Sequence, residues 1–264
     1  MKIGFVGGGK LTEAMVAGLL DAGVAQAEDV AASDIDPERR KLLESRFSIR
    51  THADNSEVVD ISEITILALK PNALLPAASD LEPDLSKLII TVAAGMNLSK
   101  VQKALPDGTH LVRVMPNISC AVRSSCTAIC GGDHASEEDM KKAEEIFGAV
   151  GMTFRVDEKH MDVVTALSGS GPAYAFIFIE ALSDGAVLHG LPREQAIPMA
   201  AQTVLGAARM VLDSGLHPAQ LKDRVCSPGG TTIEAVRTLE ESGFRSAAIE
   251  AVSAAHDKSR SLAD

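Results

Sequence analysis

Residues 1–15 read MKIGFVGGGKLTEAM. A β-branched apolar run, KIGFVG (2–7), passes through consecutive glycines into LTEAMVAGLLDAG (11–23), whose apolar residues recur at helical spacing and which stops at Gly23. The stretch predicts strand, glycine turn and helix, in that order. Each position then has a physical task. Gly7 permits a tight turn, Gly9 lets the backbone approach a pyrophosphate, and the amides around Lys10 and Leu11 offer a helix N-terminus to the anion. Thr12 stands at the third place of the G-x-G-x-x-G pattern, so close packing of helix on strand is less strictly provided for. At the head of the first strand–helix unit, the motif predicts a dinucleotide-binding half.

Working outward, the alternation continues. DVAASD (29–34) reads as a second strand and PERRKLLESR (37–46) as a helix with Pro37 in its first turn. SEITILAL (62–69), a helical run from Asn72 to Ser79, KLIITVAA (87–94) and LSKVQKAL (98–105) follow, then HLVRVMP (110–116), CTAICG (126–131) and a helix over 136–151. Nearly continuous apolar strands alternating with helices predict an α/β fold with a parallel sheet covered on both faces. From about Lys159 the strands disappear and helical spacing dominates, with Gly190, Gly215 and Gly243 each closing a helix. The chain therefore divides into a nucleotide-binding half, 1–157, and an all-helical half, 158–264. AYAFIFIEAL (173–182) is apolar on every side of a helix, with Glu180 as its one charge, and needs cover all round. This predicts a homodimer built through the helical half.

Bulk properties narrow the function. The 264 residues carry a net charge of −11, which argues against a nucleic-acid or anionic-membrane surface, and the absence of Trp with a single Tyr removes stacking platforms for single strands. Neither a signal nor a transit peptide is apparent, and apolar runs such as AYAFIFI (173–179) fall short of the roughly 20 residues a bilayer span needs. The expectation is a soluble cytoplasmic protein. Cys120, Cys126, Cys130 and Cys226 lack paired C-x-x-C spacing and read as reduced thiols, with no metal site.

Two stretches carry the remaining chemistry. The second strand ends in Ser33-Asp34-Ile35-Asp36, with Arg39 and Arg40 a turn further on. A carboxylate there suits the ribose hydroxyls of NADH, and a serine with an arginine suits the 2′-phosphate of NADPH; both kinds of group are present. LALKPN (67–72), VAAG (92–95) and RVMPN (113–117) sit at strand C-terminal ends, where ligands bind in open parallel sheets, although ordinary turn chemistry accounts for each equally well. Late in the chain, SPGGTTIEAVRTLE (227–240) contains T-x-x-E, a capping box with Thr231 as N-cap. Gly229 and Gly230, followed by two threonines, also supply several amides and two hydroxyls around a concavity that suits a carboxylate. ALSGSGPAYAF (166–176) is a second such run, and neither it nor SPGGTT holds a titratable group.

GFVGGGKLTEAM, LALKPN, RVMPN, LSGSGPAYAF and above all LKDRVCSPGGTTIEAVRTLEESGF resemble the pyrroline-5-carboxylate reductase family, in order, from the first residues to about residue 262. The resemblance implies a Rossmann-type domain followed by a helical dimerisation domain, dimers assembling into decamers, and hydride transfer from NADPH or NADH to the C=N carbon of 1-pyrroline-5-carboxylate, giving L-proline. It also implies that one subunit's cofactor faces the other's SPGGTT segment. Position by position, it puts Val6, Gly7, Gly8, Gly9, Lys10 and Leu11 at the pyrophosphate. Ser33 and Asn55 fall near the adenosine ribose or its 2′-phosphate. Ala68, Leu69, Lys70 and Pro71, with Val92, Ala93 and Ala94, fall along the middle and nicotinamide end. Ser227, Gly229, Gly230 and Thr231 would hold the substrate carboxylate, and the Thr232 hydroxyl would bond the ring nitrogen as the catalytic contact. Thr12 and Arg224-Val225-Cys226 depart from the family's usual residues. The missing acid is consistent with this chemistry, because a cyclic imine arrives partly protonated and already electrophilic. A β-hydroxyacid dehydrogenase would need a lysine on the first long helix of its second half, and none occurs from Met161 to Leu191. A non-catalytic NAD(P) sensor would bind cofactor without oxidising it.

Overall fold

The computed structural model describes residues 1–263. Its described residues form eight strands in one sheet: β1 (Ile3–Val6), β2 (Val30–Ser33), β3 (Arg50–His52), β4 (Ile64–Leu67), β5 (Leu88–Thr91), β6 (His110–Met115), β7 (Ser125–Gly131) and β8 (Gly151–Arg155). They lie in the order β3-β2-β1-β4-β5-β6-β7-β8. The chain starts mid-sheet, winds to one edge through β2 and β3, then returns to lay β4 on the other side of β1. This is the doubly wound Rossmann arrangement anticipated above.

The strands are parallel from β3 through β6, but β7 runs antiparallel to β6, with β8 parallel to β7. The expected parallel sheet holds from β3 through β6, and the one reversal, at β7, has a simple reason. Only a short connection holding a 3₁₀ turn (Ile118–Val122) separates β6 from β7, too little chain for the crossover that a parallel return requires. Three elements escape the sequence pattern. β3 reads Arg-Thr-His without an apolar residue. The helix α3 (Asn55–Ile61) is only seven residues, capped by Asp54. β8 is taken partly from the predicted helix over 136–151, which ends at Gly148 instead.

Helices α1 (Lys10–Asp21), α2 (Pro37–Phe47), α3, α4 (Pro71–Ser79), α5 (Leu98–Ala104) and α6 (Glu137–Gly148) accompany the sheet. One core joins Ile3, Phe5, Met15, Leu19, Ile66 and Phe147, and the other joins Val6, Leu67, Leu74, Ile89, Val101 and Leu111. Every residue of β1 is buried, which is why that strand reads as an unbroken apolar run. Thr12 is wholly buried, and its hydroxyl donates to the Gly7 carbonyl at 2.5 Å. The position that breaks the glycine pattern thus closes the fit of helix on strand with a hydrogen bond.

Packing draws its line later than the change of pattern at 157/158. One compact unit comprises residues 1–170 with the chain from 255 onward, and the other comprises 171–254. The reason lies in α7 (Met161–Val164) and the π turn Thr165–Gly169 that continues it. Met161 is fully buried in the second core, the Asn117 amide donates to the Ser168 carbonyl at 2.9 Å, and Ser259 donates to Asp162 at 2.8 Å. The other unit holds α8 (Gly171–Leu188), α9 (Arg193–Ser214), α10 (Pro218–Val225), α11 (Thr231–Glu241) and the start of α12 (Phe244–Ala263). Gly190, Gly215 and Gly243 close helices with φ of 90°, 64° and 75°, values that glycine adopts without strain. Phe176, Ile177, Leu188, Leu205 and Leu212 stand exposed in the single chain. Through the π turn, Glu158–Leu188 becomes one helical stretch long and apolar enough to cross a membrane by length and composition, which the separate short runs did not suggest.

Three substitutions test this packing. Thr12→Val keeps the shape but removes the donor to Gly7, and is expected to cost about 1–3 kcal/mol, read as a fall of several degrees in melting temperature. Gly151 has φ 154°, and a Cβ there would stand 2.1 Å from the Ser125 carbonyl oxygen. Gly151→Ala is therefore expected to lower the melting temperature further than Thr12→Val, whereas Gly148→Ala, with nothing within 4 Å of its Cβ position, leaves it unchanged or raised.

Candidate active site

The sheet reverses its winding between β1 and β4, and the turns leaving those two strands diverge to frame a crevice, the place where open α/β sheets bind ligands. Gly7 leaves β1 with φ 103°, and a Cβ there would lie 2.7 Å from the Ala68 carbonyl oxygen. Glycine alone fits. The Gly7 amide donates to the Ser33 carbonyl at 2.9 Å, and the Ala68 amide donates to Val6 at 2.8 Å, so the expected residues of three separate stretches meet here. Gly9 is the extended N-cap of α1, with no neighbour within 4 Å of where a Cβ would stand. An open glycine face at the start of a 12-residue helix is a cradle that fits a pyrophosphate.

Around that cradle, both ends of the Gly8 residue are held. Its amide donates to Asp34 Oδ2 at 2.8 Å, and its carbonyl accepts from Arg39 Nε and Nη2 at 2.8 and 2.5 Å. Arg39 Nη2 also donates to Glu13 Oε2 at 3.0 Å, while Lys10 and Arg46 bond the same carboxylate. Glu13 is buried; burial pushes its carboxyl up, but the hydrogen bonds and charges of Arg39 and Lys10 outweigh that and hold it below the usual glutamate range. Ser33 is fully buried and donates to Asn55 Oδ1 at 2.7 Å, bringing together two residues proposed for one end of the cofactor. Arg40 Nη1 donates to the Asp34 carbonyl at 2.6 Å. Sequence reading missed the roles of Glu13, Asp34 and Arg39 toward the glycine turn. A lone acid in the apolar first turns of α1 was the available signal.

At the other end, Lys10, Leu11, Val92, Met115, Asn117 and Gly169 help to line a cleft of about 360 Å³. Of the three residues expected from VAAG, Val92 lines this cleft, Ala93 is packed in the core and Ala94 is exposed. Ala68 and Leu69 are half-buried, Lys70 caps α4 and Pro71 begins it. Asn117, which sequence reading quoted only as a strand end, accepts from the Ser119 amide through Oδ1 at 3.0 Å while its own amide holds Ser168. The titratable side chains lining the cleft are Lys10, whose side chain is largely in water, and Cys120, whose thiol burial pushes upward and keeps neutral. The cleft therefore supplies shape and apolar surface rather than an acid or base.

In the helical unit, α10 ends at Val225 and the chain turns through Ser227-Pro228-Gly229-Gly230 into α11. Gly229 has φ 66°, and the Gly230 amide donates to the Ser227 carbonyl at 3.0 Å. A Cβ on Gly230 would stand 2.2 Å from Ser227 Oγ and 3.2 Å from the Ser227 carbonyl oxygen, so a side chain there would displace the serine hydroxyl. Gly230, not Thr231, is the N-cap, and no side chain caps the helix. The capping box is thus corrected: Glu234, which should fold back on Thr231, instead accepts from Arg237 one turn on, at 3.2 Å from Nε and 2.5 Å from Nη2. The first-turn amides of α11 are left without a side-chain partner, beside the hydroxyls of exposed Thr231 and half-buried Thr232.

Known proteins resemble this chain over its whole length. Residues 158–262 match the family model for pyrroline-5-carboxylate reductase dimerisation, and residues 2–95 match that for the coenzyme F420-dependent NADP oxidoreductases. The chain is 48% identical over 263 residues to the pyrroline-5-carboxylate reductase of Methanosarcina acetivorans, covering 99% of this chain and 97% of that one. Among solved structures, a pyrroline-5-carboxylate reductase from Coxiella burnetii superposes with a TM-score of 0.94 at 32% identity, covering 100% of this chain and 98% of the other. The Plasmodium falciparum pyrroline carboxylate reductase with NADP bound gives 0.89 at 31% identity, with the same coverage. The exposed apolar side chains of α8 and α9 fall within the matched dimerisation segment, in keeping with a homo-oligomer. By sequence along its full length, and by fold, the chain belongs to the pyrroline-5-carboxylate reductase family.

Proposed function

We propose that the chain reduces 1-pyrroline-5-carboxylate to L-proline, the closing step of proline synthesis, with NADPH as hydride donor and NADH as the alternative. The observation that carries this reading is the 227–232 turn. It offers helix-start amides, a glycine pair with Gly229 in the left-handed region at φ 66°, and two adjacent hydroxyls, with no titratable group. Such a site holds a carboxylate and orients a ring, and it is unsuited to reactions that need a strong base.

In this reading Ser227, Gly229, Gly230 and Thr231 hold the substrate carboxylate, and the Thr232 hydroxyl fixes the ring nitrogen. Val6 through Leu11 hold the pyrophosphate, Ser33 and Asn55 the adenosine end, and Ala68 through Pro71 with Val92 through Ala94 the remainder of the dinucleotide. A reduced nicotinamide, when bound, supplies the hydride. The substrate, partly protonated on nitrogen near neutrality, needs no strong acid from the protein. The chain's task is then alignment, an effect worth roughly 7–11 kcal/mol in well-oriented systems.

The reading extends to organisation. Residues 1–157 serve the cofactor and 158–264 serve assembly and substrate, with dimers formed through the helical half and five dimers making a decamer. One subunit's cofactor is served by its partner's 227–232 turn. The apolar stretch 158–188 is covered by that assembly rather than by lipid, and the enzyme works in the cytoplasm on a small molecule, with no nucleic acid. Support comes from the family match over 158–262 and from the apolar side chains that the single chain leaves in water.

Steady-state assays with NADPH and NADH side by side are expected to show oxidation of the nucleotide that depends on pyrroline-5-carboxylate. No turnover with either donor would contradict the reading, as would faster turnover on small 3-hydroxyacids. Thr232→Ala is expected to lower kcat at least tenfold and raise KM for the imine, with nucleotide affinity as in the wild type. Unchanged kinetics would remove Thr232 from the nitrogen.

A further inference from the structure

We propose that Glu13 and Arg39 form a lock on the Gly8–Gly9 peptide, making Glu13 a positioning residue for nucleotide binding; the proposal rests on reading Gly7–Leu11 as the dinucleotide turn. In a trans peptide the carbonyl and the following N–H point in opposite directions. Whatever holds the Gly8 carbonyl therefore also aims the Gly9 amide. Two Arg39 nitrogens hold that carbonyl, at 2.8 and 2.5 Å from the oxygen.

The need for a lock follows from the sequence. Gly8 and Gly9 are both without Cβ, so this peptide can turn over at little steric cost. A flip would carry Gly9 from φ −71° to positive φ, which glycine visits as readily. In the flipped state the Gly8 carbonyl oxygen would take the direction of the Gly9 N–H, and an anion would meet a partial negative charge instead of a donor. The preceding peptide is pinned separately, because the Gly8 amide donates to Asp34 Oδ2 at 2.8 Å. Arg39 thus completes control of the turn on both sides of Gly8.

Arg39 begins from a helix surface, and a long side chain there loses conformational freedom when fixed. Glu13 supplies the anchor. Its carboxylate is buried on α1, one turn beyond the glycines, and receives Arg39 Nη2 at 3.0 Å while Lys10 and Arg46 approach the same group. The fork geometry matters: a guanidinium can bond the carbonyl through two nitrogens and still reach the carboxylate, which an ammonium cannot. The nucleotide's charge is thus met by a turn whose donor direction is set from behind, by side chains bonded to the turn and to each other.

The test is the dissociation constant of each nucleotide, NADPH and NADH, for the full-length homo-oligomer, read from the fluorescence of the reduced nicotinamide. Glu13→Gln and Arg39→Met are each expected to weaken both nucleotides about tenfold and by the same factor. The double variant should be no weaker than the worse single one, and kcat at saturating NADPH should be preserved. Should Glu13→Gln fail to yield folded protein, Arg39→Met carries the test alone. Unchanged affinity in Arg39→Met overturns the proposal. So does a loss confined to NADPH, which would make Arg39 a direct partner of the 2′-phosphate, and so do fully additive losses. Wild-type protein that binds neither nucleotide would overturn the parent reading of the turn as well, whereas wild-type binding with unaffected variants removes only the lock.

Discussion

At the middle of the sheet, backbone meets backbone with no side chain between. Gly7, turning out of β1, passes so close to the Ala68 carbonyl beyond β4 that a methyl group would sit 2.7 Å from its oxygen. That approach is possible only because the chain winds outward from β1 in both directions, and it opens the crevice from which the rest of the site is built. The Ser33 carbonyl receives the Gly7 amide, Val6 receives the Ala68 amide, and Thr12 ties the first helix to the same turn. Stability and binding are linked here: the contacts that pack α1 on the sheet also place its N-terminus where an anion can reach it.

The two anion-suited features of the chain use the same physics with different supports. At the head of α1 the direction of the glycine peptides is controlled by charged side chains, Asp34 on one face and Arg39 with Glu13 on the other. At the head of α11 the turn is controlled by its own tightness, through Ser227 and the left-handed Gly229, and hydroxyls replace charges. This contrast suits a reductase whose cofactor is a highly charged polyanion and whose substrate is a single carboxylate on a cationic ring. The cleft beside Met115, Asn117 and Gly169 carries neither kind of control and little charge, which suits a flat, mostly apolar ring.

Much of this was legible from residue order. Strand–turn–helix at 1–23 stands out because both periodicities are strong and the glycines separate them cleanly. The helical half declares itself through spacing and its closing glycines. The failures have physical causes. β3 and β8 are edge-side strands with few buried residues, so neither shows an apolar run, and Gly151 starts a strand where the preceding helix pattern still continues in the sequence. The β6–β7 reversal depends on the length of a connection, which pattern alone does not weigh. The capping box at Thr231 satisfied the local rule, yet Glu234 had a stronger partner in Arg237 one turn away. The clamp on Gly8 joins residues 26 to 31 positions apart, beyond the reach of any local rule.

The proposed reduction needs a cationic five-membered ring to be gripped by main-chain donors and hydroxyls at the head of α11, next to a dinucleotide seated on the glycine turn. A crystal structure of the homo-oligomer with NADP and L-proline bound tests it most directly. The proline carboxylate is expected on the amides of Gly229 to Thr231, with its ring carbon about 3–3.5 Å from the nicotinamide carbon that exchanges hydride. Proline bound elsewhere, with the 227–232 turn remote from the nicotinamide in every copy, would contradict it.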